Sequence, residues 1–234
     1  MQFLPYKVFM FVFAALVSGA WTSDFARADS HSPSIRIVGL GDSLMAGYQI
    51  GRDEAFPAQL QKALQDIGVP ATVENAGVSG DTSSGGLARL EWSLGTNPLN
   101  MVIVELGAND ALRGIPVDVT KANLEKIVGA LKAKNATVLL TGMLAPPNMG
   151  EDYGKQFDVI YPELAAKDDI ALYPFFLDGV AAQPKLNLAD GIHPTPEGVA
   201  VIVERILPKV VKTLVEAGHC GTVEAPVCDA AVFN

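Results

Sequence analysis

Met101-Val-Ile-Val-Glu-Leu106, closed by Gly107-Ala108-Asn109-Asp110, is the stretch on which the fold reading turns. A short apolar run ended by glycine reads as a strand covered on both faces. Downstream, Val119 to Lys134 puts Leu124, Ile127, Val128 and Leu131 on one helical stripe, and Thr137 to Thr141 is a second strand bounded by Gly142. Upstream, Ile35 to Leu40 (IRIVGL) reads as a buried strand, Phe56 to Ile67 as a helix stopped by Gly68, and Ala71 to Asn75 as a short strand. Gly77 to Gly86 is a Gly/Ser loop before a helical segment, Gly86 to Leu94. Pro146 to Gly154 reads as a loop, and Phe157 to Lys167 as a helix that Pro162 shortens or bends. Ile170 to Tyr173 is the last strand, and Pro196 to Ala217 a final helix interrupted or kinked near Pro208. This alternation predicts an α/β fold: a central parallel sheet of about five strands between two helical layers. Ligands of such sheets bind beyond the carboxyl ends of the strands, so a motif gains meaning when it follows a strand.

Composition narrows the function. Of 234 residues, 49% are hydrophobic and 18% charged, which excludes a disordered chain. The formal charge of −9 argues against a nonspecific nucleic-acid binder, which needs a basic surface to displace counterions. Lys7 followed by the apolar run Val8 to Val17 fits a secretory leader, and Ala26-Arg27-Ala28 fits its cleavage site. The expected organisation is a leader over residues 1–28, one folded domain over 29–217 and a tail over 218–234. After Val17 no apolar run is long enough to span a membrane. Export, periplasmic or secreted, gives Cys220 and Cys228 an oxidising setting in which to close a small disulfide loop. His219-Cys220 with Cys228 lacks an evident fourth metal ligand, so no metal is expected.

Four motifs follow strands or the last strand–helix pattern. Gly41-Asp42-Ser43-Leu44 places a serine at a strand-to-helix turn, as a nucleophile or equally as a helix N-cap. The run from Gly39 to Leu44 falls short of a dinucleotide fingerprint, because Leu44 stands where the third glycine belongs. In Gly77-Val78-Ser79-Gly80-Asp81-Thr82, Gly80 is a turn glycine or a backbone donor to an oxyanion. Asn109 is a turn former or a side-chain donor, and Asp110 a catalytic carboxylate or, preferred here, one that helps to hold its loop. In Asp190-Gly191-Ile192-His193-Pro194, a spacing of three lets one loop deliver an imidazole and the carboxylate behind it. His31 and His219, near the chain ends, carry no role.

Ser43, Gly80, Asn109 and His193, in that order, resemble the four blocks of the GDSL or SGNH hydrolases, from about Ile35 to about Val215. Gly77 to Ser83, Pro146 to Gly150, Tyr173 to Phe176 and Leu188 to Pro194 are most similar to the bacterial arylesterase, lysophospholipase and acyl-CoA thioesterase I branch. The resemblance implies a flavodoxin-like sheet and cofactor-free hydrolysis of small-molecule esters or thioesters. It implies a catalytic set of Ser43, Asp190 and His193, and an oxyanion hole of Ser43, Gly80 and Asn109. Pro146, Met149, Phe176 and Ile192 are the candidate substrate contacts. Two other readings stand beside it: a carbohydrate O-acetyl esterase, and an exported binding protein that captures small anions at the Gly41–Ser43 turn and Gly80.

Overall fold

Strands Ile35–Gly41 (β1), Ala71–Gly77 (β2), Met101–Glu105 (β3), Thr137–Thr141 (β4) and Ala171–Tyr173 (β5) pair in parallel in the order β2-β1-β3-β4-β5. In this doubly wound order the connections leave β1 and β3 in opposite directions, which opens a crevice between their carboxyl ends. The register puts Gly41 level with Gly77 on one side and Glu105 on the other. Three loops therefore start side by side. The structure is a computed structural model that describes residues 1–2 and 35–219. The chain divides into two compact units, Met1–His31 and Ser32–Asn234, and every strand belongs to the second. The leader with its Ala28 cleavage site and the Cys220–Cys228 pair lie outside the described residues.

The core follows the apolar pattern. β3 is fully buried along its length, as its central position requires. One face is covered by helices Phe56–Asp66 (α2) and Pro196–Glu216 (α9), which pack on each other. Three short helices, Ser83–Ala88 (α3), Leu90–Leu94 (α4) and Ala108–Leu112 (α5), follow α2 in sequence, and a fourth, Ser43–Ala46 (α1), precedes it directly after Gly41 and Asp42. The other face carries Val117–Ala133 (α6) and two further helices, Glu151–Asp158 (α7) and Ile160–Asp168 (α8). Among the described residues no helix is long and apolar enough to cross a membrane.

Several expectations shift. The Gly/Ser loop ends at Ser83 rather than Gly86, because Thr82 caps α3 by accepting from Gly85 N–H. The segment read as a loop to Gly154 already turns helical at Glu151, with Glu151 and Asp152 in the first turn of α7, where negative charge is favoured. The helix break falls at Val159, not Pro162. Proline at the third position of α8 lacks only an N–H that has no intrahelical partner there. α9 runs without interruption through Pro208, which lies on its exposed side, so water can satisfy the carbonyl that the missing N–H leaves free.

Phe176 requires a correction. It is 1% exposed and packs edge-on against Phe56 at 5.0 Å between ring centroids. It belongs to the core between α2 and the sheet, not to a substrate surface. Phe176→Ala is expected to lower unfolding stability by about 3–5 kcal/mol, the usual loss for a large aromatic cavity, read as a fall in the urea midpoint. An unchanged midpoint would remove Phe176 from the core.

Candidate active site

The turn after β1 builds the first component. Asp42, not Ser43, caps α1: its Oδ1 accepts from Leu44 N–H at 3.0 Å. Ser43 is thus released from capping and becomes the first helical residue, half-buried. The second component comes from the loop before α9. Asp190 Oδ1 accepts from the N–H groups of Ile192 and His193 at 2.9 and 3.0 Å, which folds the four residues into a tight turn. His193 Nδ1 then stands 2.7 Å from Asp190 Oδ2, and His193 Nε2 stands 2.9 Å from Ser43 Oγ. With the proton on Nδ1, toward the carboxylate, Nε2 is free to accept from the serine hydroxyl. Tyr48 lays its ring beside the imidazole, 4.3 Å between centroids.

The donor side is built from loops after β2 and β3. Gly80 adopts φ +83, a left-handed conformation that glycine enters without strain. Its carbonyl accepts from Arg113 Nη2 at 2.7 Å. Neither Ser43 N–H nor Gly80 N–H has a backbone or side-chain acceptor among the described residues. Asn109, on α5 and not in an open turn, gives one amide hydrogen to Asp42 Oδ2 at 2.9 Å. Its second amide hydrogen remains available.

A buried polar frame fixes these loops. Asp110 accepts from Ser83 N–H at 2.7 Å, Ser83 Oγ at 2.5 Å and Thr120 Oγ1 at 3.1 Å, so it ties the Gly80 loop to α5 and α6. It is fully buried and holds its loop, as its position suggested. Arg89 binds the Gly41 carbonyl at 2.8 Å, the Ala76 carbonyl at 2.7 Å and Asp81 Oδ2 at 2.5 Å. One guanidinium thus joins the ends of β1 and β2 to the donor loop. Nothing in the sequence marks Arg89 for this; it lies in a segment that reads as helical, and the fold sets it at the break between α3 and α4 with these acceptors around it.

The remaining candidates separate. Ile192 is 45% exposed beside His193. Met149 reaches the Gly114 turn, next to Arg113 and so on the Gly80 side. Pro146 is half-buried on the loop after β4. Phe176 is not with them.

The carboxyls of the site titrate in opposite directions. Two backbone N–H bonds and the imidazole hold Asp190 down at about 2. Burial pushes Asp42 up to about 6, against its bonds from Leu44 and Asn109. Glu105, fully buried beside Asp42, is pushed well above the usual carboxyl range by burial and by the Asp42 charge.

A serine–imidazole–carboxylate chain at the switch point of a flavodoxin-order sheet defines the class: a three-layer α/β serine hydrolase. The chain belongs to the GDSL-like Lipase/Acylhydrolase family, whose pattern matches residues 40–201. It is an ester-bond hydrolase of the SGNH type. It is 40% identical over 190 residues to an arylesterase of Vibrio mimicus, covering 81% of this chain and 95% of that one. It is 42% identical over 165 residues to the thioesterase 1/protease 1/lysophospholipase L1 of Escherichia coli K12, covering 70% and 78%. The crystal structure of AlinE4, an SGNH-hydrolase family esterase, superposes with a TM-score of 0.67 at 44% identity, covering 79% of this chain and 99% of that one.

The raised Asp42 carboxyl has a consequence for stability. The folded state holds a proton that the unfolded chain releases near pH 3.8, so this group's contribution is present at low pH and is lost as pH rises toward about 6. Asp42→Asn is expected to gain on wild type over that window, whatever constant loss its altered bonds add. Denaturant unfolding at several pH values checks this; a difference independent of pH would refute it.

Proposed function

We propose that the protein hydrolyses carboxylic esters, thioesters included, through an acyl-enzyme on Ser43. The observation that carries the reading is the continuous chain from Ser43 Oγ to His193 Nε2 at 2.9 Å and from His193 Nδ1 to Asp190 Oδ2 at 2.7 Å. Ser43 Oγ attacks the carbonyl carbon while His193 takes its proton. His193 then protonates the departing alcohol or thiol. Asp190 fixes the imidazole tautomer and supports the imidazolium, and it stays anionic throughout ordinary working pH. The N–H groups of Ser43 and Gly80 and the free amide hydrogen of Asn109 receive the tetrahedral oxyanion. Water, activated by His193, attacks the acyl-enzyme and releases the acid and Ser43.

The substrate class in this reading is the apolar acyl ester of the arylesterase, lysophospholipase and thioesterase kind. Its support is the rim. Tyr48, Val78, Leu112, Leu144 and Ile192 are large, exposed and apolar; Tyr48 follows α1, Val78 and Leu144 lie on the loops after β2 and β4, Leu112 ends α5 and Ile192 lies on the loop that carries His193. Single exposed hydrophobics are ordinary, but five on one end of the sheet suit an acyl chain better than a sugar. Pro146 and Met149 would extend this rim. A binder of small anions would leave Asp190 and His193 without a joint task. Export with removal of residues 1–28 completes the proposal and rests on the segment from Lys7 to Ala28 alone.

Ser43→Ala is expected to fold as wild type, by circular dichroism, and to lose turnover of p-nitrophenyl esters; full activity in a clean preparation would end the reading. Asn109→Ala is expected to lower kcat about 10²–10³-fold, the loss typical of one oxyanion donor. An acyl-chain series on wild type should favour medium over acetyl chains. Preference for an acetylated polysaccharide would instead make it an O-acetyl esterase.

A further inference from the structure

Glu105 is a buried acid that the proposed reaction does not use. It ends β3 opposite Gly41. A Cβ on Gly41 would run into Glu105 Oε2 and the Met45 side chain, so the glycine leaves a notch that the carboxyl fills. Oε2 accepts from Asp42 N–H at 3.1 Å, and Met45 N–H faces the same carboxyl and favours its charged form. These donors flank Ser43 at the start of α1, where backbone N–H groups lack helical partners. A neighbouring strand thus supplies an acceptor for the turn from below.

We propose that Glu105 is a positioning residue that holds the nucleophile turn in its un-ionised form. The proposal rests on Ser43 being the nucleophile. Glu105 is 0% exposed, and its Oε1 has no hydrogen-bond partner among the described residues. The titratable groups around it are acids: Asp42 from the β1–α1 turn and Tyr161 from α8, whose hydroxyl donates to the Leu106 carbonyl at 2.9 Å. The guanidinium bound to the neighbouring Gly41 carbonyl, Arg89, is engaged there, by the Ala76 carbonyl and by Asp81. Two adjoining buried carboxyls without a cation cannot both ionise cheaply. Asp42 spreads its bonds over both oxygens, accepting from Leu44 and Asn109, and is the better anion. The proton therefore stays on Glu105, on the oxygen that accepts nothing.

The test compares Glu105→Gln with Glu105→Leu in the full chain. Glutamine keeps the shape and the acceptor without an ionisable group, so kcat should stay within about threefold of wild type. Leucine leaves the buried Asp42 N–H unpaired and removes the carboxyl facing Met45 N–H, and should lower kcat about tenfold or more with KM little changed. Infrared difference spectra at pH 8 should show an un-ionised carboxyl stretch in wild type that is missing from Glu105→Gln; this holds even where Glu105→Leu does not fold. Three results would each overturn the proposal: a folded leucine variant as active as wild type, a glutamine variant as impaired as the leucine one, or no such stretch. Fluorophosphonate labelling of Ser43 in wild type reports separately on the nucleophile. Failure there removes the esterase mechanism while the infrared result still reads the state of Glu105.

Discussion

The hydrogen bond between Ser43 and His193 joins residues 150 positions apart, and the rest of the structure is arranged so that it can form. A serine hydroxyl is a poor nucleophile until a base lies within hydrogen-bond reach. Neither residue can secure that reach alone. The parallel sheet does it by ending β1, β2 and β3 level, so that their loops meet at one edge. α9 then returns across the sheet, and the loop before it carries His193 back to the Ser43 turn. Thr195 N–H on Leu186 O and Leu188 N–H on His193 O brace that loop.

Around this bond the protein uses the same functional group in three states. Asp190 lies at the surface, surrounded by N–H donors, and stays charged. Asp42 is buried but partnered at both oxygens and sits between the extremes. Glu105 is buried with one oxygen unpartnered, and burial drives it toward the neutral acid. Local hydration and donors, not residue type, set these states. The charge that faces the imidazole is kept apart from the acids that support the turn beneath it.

The frame beneath the donors is polar and largely buried. Asp110, Ser83, Thr120 and Asn123 form one hydrogen-bonded cluster, with Asn123 donating to Ser83 Oγ at 3.0 Å. Arg89 makes the matching link across β1 and β2. Such networks are costly unless every group is paired, and when paired they hold one geometry. A site that depends on backbone N–H direction needs that rigidity, since a donor displaced by an ångström loses much of its effect.

Much of this was legible in the chain alone. Periodicity gave five strands and the main helices, because burying apolar faces leaves a regular trace. The spacing Asp190-x-x-His193 was legible because both roles fall within one turn. Ser43, Gly80 and Asn109 were visible as residues after strands, but each kept a plain turn or cap reading, because nothing local distinguishes the two. Only the fold settled that Asp42 takes the cap and leaves Ser43 free. It also moved Phe176 into the core, turned Glu151–Asp158 into a helix, and gave Arg89 and Glu105 their partners. Local spacing encodes what one turn or one helix face can do. Contacts between residues tens of positions apart depend on how strands stack and which ends align, and that information exists only once the chain has closed on itself.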